Sequence, residues 1–158
     1  MQTAGNWGKR YNRFNVNVVP SHQDSVFLYT DPPSAVGFWF ALEDCTTTNG
    51  CLSFVPGSHK TSPITKRFVR QDLGTGFISI GGELKEPGDE EFKIEECAAG
   101  MPLLNIAYTG TLVVIHGNVL HKSEANRSLN SRYIYTFHVI EGDAKYDEMN
   151  WYPSIKHT

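Results

Sequence analysis

Turn-forming residues interrupt this chain so often that no long regular element fits between them. Asp31-Pro32-Pro33, Asn49-Gly50, Pro56-Gly57, Gly81-Gly82, Pro87-Gly88 and Gly117-Asn118 cut its 158 residues into short runs. The runs are Phe14–Val19, Ser25–Tyr29, Val36–Leu42, Cys51–Val55, Phe77–Ile80, Thr111–Ile115 and, longest, Arg132–Ile140. They are rich in Val, Ile, Phe, Tyr and Trp, side chains that suit a pleated, half-buried surface, so each is expected to be a strand. No stretch of a dozen residues carries strong apolar spacing at the helical period. The best helical candidate is Ser62–Asp72, where Ser62 can cap and Pro63 suits a first helical position, although its apolar face is thin. Many short strands with few helices predict an all-β sandwich, jelly roll or barrel.

Composition narrows the class. Hydrophobic residues make up 40% and charged residues 20%, which suits one globular domain with its own core. A formal charge of −3 argues against a nucleic-acid protein, which carries a basic face. No apolar run reaches membrane-spanning length. Met1–Arg10 lacks the apolar stretch of a secretory signal, and Lys156-His157-Thr158 is no peroxisomal or retention tail. Three cysteines, Cys45, Cys51 and Cys97, form no C-x-x-C pair, so a reducing, cytoplasmic setting is expected. Asn126-Arg127-Ser128 then reads as loop chemistry rather than a glycosylation acceptor. The acidic segment Glu83–Glu96 reads as a solvated loop and hairpin.

Two neighbourhoods among the six histidines could carry chemistry. In Pro20-Ser21-His22-Gln23-Asp24, an extended chain points His22 and Asp24 to the same face, where an imidazole and a carboxylate can take adjacent positions on one metal ion. H-x-D is also a common polar strand end. The second neighbourhood runs from Gly110 to Asn126 and holds His116 and His121 on either side of a Gly-Asn turn. One further histidine would complete a two-His, one-carboxylate set that covers one face of an octahedral iron(II) and leaves three positions open. Arg132 follows His121 by eleven positions. Period two puts Arg132, Ile134, Thr136 and His138 on one face of the last strand. A guanidinium there either sits at the strand mouth in solvent or meets an anion, such as a bound dicarboxylate held by a bidentate pair.

From Pro20 to His138 the chain resembles the phytanoyl-CoA dioxygenase family of iron(II)- and 2-oxoglutarate-dependent oxygenases. The blocks that carry the likeness are His22-Gln-Asp24-Ser-Val-Phe-Leu-Tyr-Thr, Gly37-Phe-Trp39-Phe-Ala-Leu-Glu-Asp and Asn49-Gly-Cys-Leu-Ser-Phe-Val-Pro-Gly-Ser-His59. Gly110-Thr-Leu-Val-Val-Ile-His-Gly-Asn-Val-Leu-His121-Lys-Ser and Ser131-Arg132-Tyr-Ile-Tyr-Thr-Phe-His138 complete the set. The resemblance implies a double-stranded β-helix, a cupin-like jelly roll with the metal inside one mouth. It implies His22, Asp24 and His121 as iron ligands, Arg132 as the clamp on the distal carboxylate of 2-oxoglutarate, Ser123 as its helper, and Trp39 as a wall of the cosubstrate pocket. The implied reaction uses dioxygen, converts 2-oxoglutarate to succinate and carbon dioxide, and hydroxylates a small-molecule or lipid-like substrate, with ascorbate keeping the iron reduced.

The same likeness separates the remaining histidines. His116 is expected to be structural or to sit behind the site, His59 to stabilise its loop, and His138 to be a satisfied core histidine rather than a pocket wall. Family members carry a long half before the H-x-D block. The expectation is therefore a single catalytic core over 1–158 that lacks that half, with residues 1–19 as an atypical leader. Two other readings stay open: a truncated, metal-binding jelly roll without turnover, and a divalent-metal hydrolase on the same three ligands. Arg132 argues against hydrolysis, which has no need of a guanidinium at that spacing.

Overall fold

The computed structural model describes residues 2–4, 18–80, 106–107 and 111–153. Strands come in the order β1 (Gln2–Ala4), β2 (Val19–His22), β3 (Thr30–Asp31), β4 (Val36–Ala41), β5 (Cys45–Thr46) and β6 (Leu52–Phe54). Then follow β7 (Lys66–Gln71), β8 (Gly74–Ser79), β9 (Ile106–Ala107), β10 (Leu112–His116), β11 (His121–Ser123), β12 (Ile134–Ile140) and β13 (Lys145–Tyr146). Among the described residues, helix is confined to a 3-10 turn at Asp24–Val26 and to α1 (Ser58–Thr61).

Among the described residues every pairing is antiparallel. The larger sheet has the order β1-β12-β4-β10 and the smaller β2-β11-β6, with three two-stranded ladders, β13-β3, β5-β9 and β7-β8. Strand β4 lies between β12 and β10 and shows why the sheets face one another. Gly37, Trp39 and Ala41 are buried, while Val36, Phe38 and Phe40 between them are half-exposed, the period of a strand with one inner face. Trp39, Ala41 and Ile115 of the larger sheet pack with Leu52 of the smaller one, and Cys45 and Cys51 join them. This is the jelly-roll arrangement expected of the sequence. Removing a core side chain as large as Trp39 costs about 3–5 kcal/mol in such a setting.

On the outer face, aromatic side chains form a ladder. Tyr135 lies opposite Phe40 and Phe137 opposite Phe38, with the latter two rings stacked at 5.0 Å. Cross-strand aromatic pairs of this kind help fix register.

The structure departs from the sequence reading in two elements. Ser25–Tyr29 is not a strand: Phe27 N–H and Leu28 N–H both donate to Asp24 O, and Ser25 N–H donates to Gly117 O, which curls the run into the 3-10 turn. Ser62–Asp72 is not a helix. Arg67 and Val69 are buried and their neighbours are not, and Lys66–Gln71 pairs with Gly74–Ser79 as a hairpin. The expected Glu83–Glu96 loop, the turns Gly81-Gly82 and Pro87-Gly88, Cys97, His157 and residues 5–17 lie outside the described residues. At Asn126, the side-chain oxygen accepts from Ser128 N–H and Ser128 Oγ, both at 2.9 Å, which shapes the loop that carries it.

Candidate active site

Strand register assembles the first part of the site. β11 pairs with β2 so that His121 lies opposite His22. Asp24 follows β2 by two residues and turns inward at the start of the 3-10 turn. The residue between them is fixed from behind. Gln23 is buried, and its side-chain amide donates to Ser62 O and Asn118 O, each at 2.9 Å. Gly117 makes room for this turn, because a Cβ there would collide with Ser25 Oγ and with Ala35. Ser58 is fully buried; its hydroxyl donates to Val55 O and accepts from Leu120 N–H, tying the Pro56-Gly57-Ser58 block to the residue just before His121.

His22, Asp24 and His121 each offer one ligand atom, and those atoms lie within 4.8 Å of one another. His22 Nε2 is 3.6 Å and His121 Nε2 3.7 Å from Asp24 Oδ1. Both distances exceed a hydrogen bond, yet two atoms bound to one ion at roughly 2.0–2.2 Å each can stand this far apart. The rings are oriented by carbonyls: His22 Nδ1 lies 2.8 Å from Pro20 O and His121 Nδ1 2.9 Å from Val119 O. A carbonyl only accepts, so each ring carries a proton on Nδ1 and turns Nε2 toward the carboxylate, the usual second support of a metal-ligating histidine.

The electrostatics agree. Burial pulls the His121 imidazole toward its neutral form, against the attraction of Asp24. Burial acts to raise the Asp24 carboxyl, but the surrounding imidazoles, His138 foremost, outweigh it and hold Asp24 well below the usual carboxylate range. An ionised carboxylate beside the Nε2 atoms of two imidazoles is a donor set that fits a divalent cation.

A cavity of about 660 Å³ opens beside these residues. Trp39, Ile115 and Leu52 form part of its inner wall, and Phe27, Phe68 and Trp151 part of another. Arg132 lines it too and is 5% exposed. Its Nη1 donates to Gly50 O and to Ser123 Oγ, the latter at 3.2 Å. The segment bearing Arg132 is anchored by Glu43, which accepts from Ser131 Oγ at 3.1 Å and from Tyr133 N–H at 2.9 Å. The guanidinium is thus a planar donor fork, held in place on the cavity wall, of the kind that recognises carboxylates.

The structure therefore brings His22, Asp24, His121, Ser123, Arg132 and Trp39 to one cavity. It leaves His116 apart. That residue is exposed, accepts from Asn118 N–H at Nδ1, and lies beside His59 of α1, with ring centroids 5.2 Å apart. His138 corrects the reading of a core histidine. It lines the cavity, and its Nε2 lies 3.1 Å from Asp24 Oδ2. Its inward position was legible from the period of β12, but its partner was not. Gln23 was missed for the same reason, since its acceptors come from distant loops.

Comparison with known proteins places this geometry. The family model described as phytanoyl-CoA dioxygenase (PhyH) matches residues 7–134. A phytanoyl-CoA dioxygenase of Arabidopsis thaliana is 41% identical over 140 residues, covering 88% of this chain and 44% of its own. Phytanoyl-CoA dioxygenase domain-containing protein 1 of Bos taurus is 44% identical over 133 residues, covering 81% of this chain and 40% of its own. The chain thus spans less than half the length of these relatives. Among solved structures, the non-heme alpha-ketoglutarate-dependent epimerase SnoN from nogalamycin biosynthesis superposes with a TM-score of 0.52 at 17% identity, over 84% of this chain and 42% of its own. At that identity the likeness speaks for the fold.

Proposed function

The chain belongs to the phytanoyl-CoA dioxygenase family, and from that premise we propose that it serves as an iron(II)- and 2-oxoglutarate-dependent dioxygenase acting on an apolar small-molecule or lipid-like substrate. One observation carries this reading: the His22, Asp24 and His121 donor set and the buried Arg132 fork line the same cavity. His22 Nε2, Asp24 Oδ1 and His121 Nε2 would hold the iron, and Arg132 with Ser123 would hold the distal carboxylate of 2-oxoglutarate. When bound, the two supply the oxidising chemistry, in which 2-oxoglutarate goes to succinate and carbon dioxide as oxygen from dioxygen enters the substrate. Ascorbate would serve as reductant for the iron.

The protein's own part is position and exclusion of water. Trp39, Leu52 and Ile115 keep the inner cavity apolar, which strengthens the pairing of Arg132 with a carboxylate. On the other wall, Phe27 packs on Phe68 at 5.5 Å, and Phe68 on Trp151 at 6.3 Å. That aromatic wall supports an apolar substrate face. Hydrolysis on the same ligands calls for no carboxylate-binding guanidinium on the cavity wall.

The reading is tested by equilibrium dialysis of 2-oxoglutarate against the Mn(II)-loaded protein. Retention that disappears on chelation is expected. A metal-loaded, folded protein that retains none would refute the reading.

A further inference from the structure

The carboxylate of Asp24 is divided between two sets of partners. Oδ1 faces the Nε2 atoms of His22 and His121, at 3.6 and 3.7 Å. Oδ2 faces the other way and meets His138 Nε2 at 3.1 Å, within hydrogen-bonding distance. His138 comes from the opposite sheet: Asp24 follows β2 of the smaller sheet, and His138 lies on β12 of the larger one. Only His22, Asp24 and His121 group as donors to a single ion among the described residues, so His138 touches the site from outside that set.

The neighbouring strand is shaped around this contact. Gly37 lies directly opposite His138 in the β4–β12 register. A Cβ on Gly37 would come within 3.1 Å of Asp24 Oδ2 and 3.2 Å of His138 Nε2, tighter than ordinary packing. The backbone of Gly37 lies outside the left-handed range that favours glycine. The missing side chain is explained by the space that the carboxylate and the imidazole need.

We propose that His138 is a positioning residue that holds Asp24 Oδ2 by donating from Nε2–H, so that Asp24 presents Oδ1 alone to the metal. The proposal rests on the metal site set out above. It gives the hydrogen bond a defined consequence. A carboxylate free to turn can bind an ion through both oxygens and take two positions. With Oδ2 held, Asp24 takes one, the two histidines take two, and three positions of an octahedral ion stay open. Partners of this kind, one bond removed from the ion, commonly change metal affinity roughly 10–100-fold when lost.

The test is Co(II) binding by the full chain, followed by calorimetry and by visible absorption, which responds to coordination number. Three variants separate hydrogen bonding from shape. His138→Phe keeps a ring without a donor, His138→Gln sets an amide nitrogen near the position of Nε2, and His138→Asn is polar but too short to reach Asp24. The proposal expects tenfold or greater weakening and an altered absorption spectrum in His138→Phe and His138→Asn, with His138→Gln close to the parent chain. Should His138→Phe fail to fold, the Gln and Asn variants alone decide. Equal Co(II) affinity and identical spectra in the Gln and Asn variants would overturn the hydrogen bond. A parent chain that takes up no Co(II) would overturn the metal reading itself, and this proposal with it.

Discussion

His121 and His22 are direct cross-strand neighbours, their ring centroids 4.3 Å apart, although they belong to segments far apart in the chain. The β2–β11 register alone produces this contact. With Asp24 two residues on from His22, it sets three donors around one point.

Removing a donor should therefore abolish metal binding rather than weaken it. Asp24→Ala and His121→Ala are expected to lose Mn(II) by more than the roughly 10–100-fold that indirect partners produce. Electron paramagnetic resonance of free Mn(II) measures this. If His116→Ala lost the metal while His121→Ala kept it, the distal ligand would be His116.

Arg132→Ala should leave Mn(II) affinity unchanged and weaken 2-oxoglutarate. Loss of a buried charge-assisted contact costs about 2–5 kcal/mol, or roughly 30-fold to several thousandfold in affinity. Calorimetry on the Mn(II)-loaded variant provides the comparison. Unchanged 2-oxoglutarate affinity would remove Arg132 from the cosubstrate site.

Gly50→Ala should destabilise the fold and disturb Arg132 together. Gly50 has φ +83°, and a Cβ there would overlap the carbonyl of Glu124. The left-handed conformation alone costs a non-glycine residue about 1–2 kcal/mol. Since the Gly50 carbonyl accepts from Arg132, a displaced turn also moves the guanidinium. Urea unfolding should show a lower midpoint with an unchanged slope. An unaltered midpoint would mean that the turn tolerates a side chain.

Alkaline pH should destabilise the chain through Cys45. This thiol is fully buried, and burial raises it to about 11 from 9.0, against the opposing pull of Arg132. The folded state therefore keeps its proton after the unfolded state has lost it. The contribution is fully present below pH 9 and disappears as pH rises toward 11, about 2–3 kcal/mol in all. Burial of Tyr146 acts in the same direction. Urea unfolding at pH 8 and 10.5 should show a steeper loss for the parent than for Cys45→Ala. Parallel losses would contradict this.

Much of this site was legible in the sequence, and the reasons are local. Period two along Arg132–Ile140 set Arg132 and His138 on one face, the family likeness implied Trp39 as a pocket wall, and Asn49-Gly50 marked the turn whose carbonyl meets that guanidinium. What stayed hidden depended on contacts between distant segments. Ser25–Tyr29 has strand-like residues, but the Gly117 carbonyl draws its start into a turn. Ser62-Pro63 resembles a helix start, yet Lys66–Gln71 is one arm of a hairpin that buries Arg67 and Val69, and its sequence carries no apolar alternation to announce this. The partner of His138 is set by the approach of two sheets, which no local pattern records.

The most direct test of the oxygenase reading is succinate formation by the purified chain with iron(II), ascorbate and 2-oxoglutarate in air, beside His121→Ala. Succinate above the level of the variant is predicted even without added substrate. A folded, iron-loaded chain that forms none, with or without an apolar substrate, would contradict the reading and leave a metal-binding jelly roll without turnover.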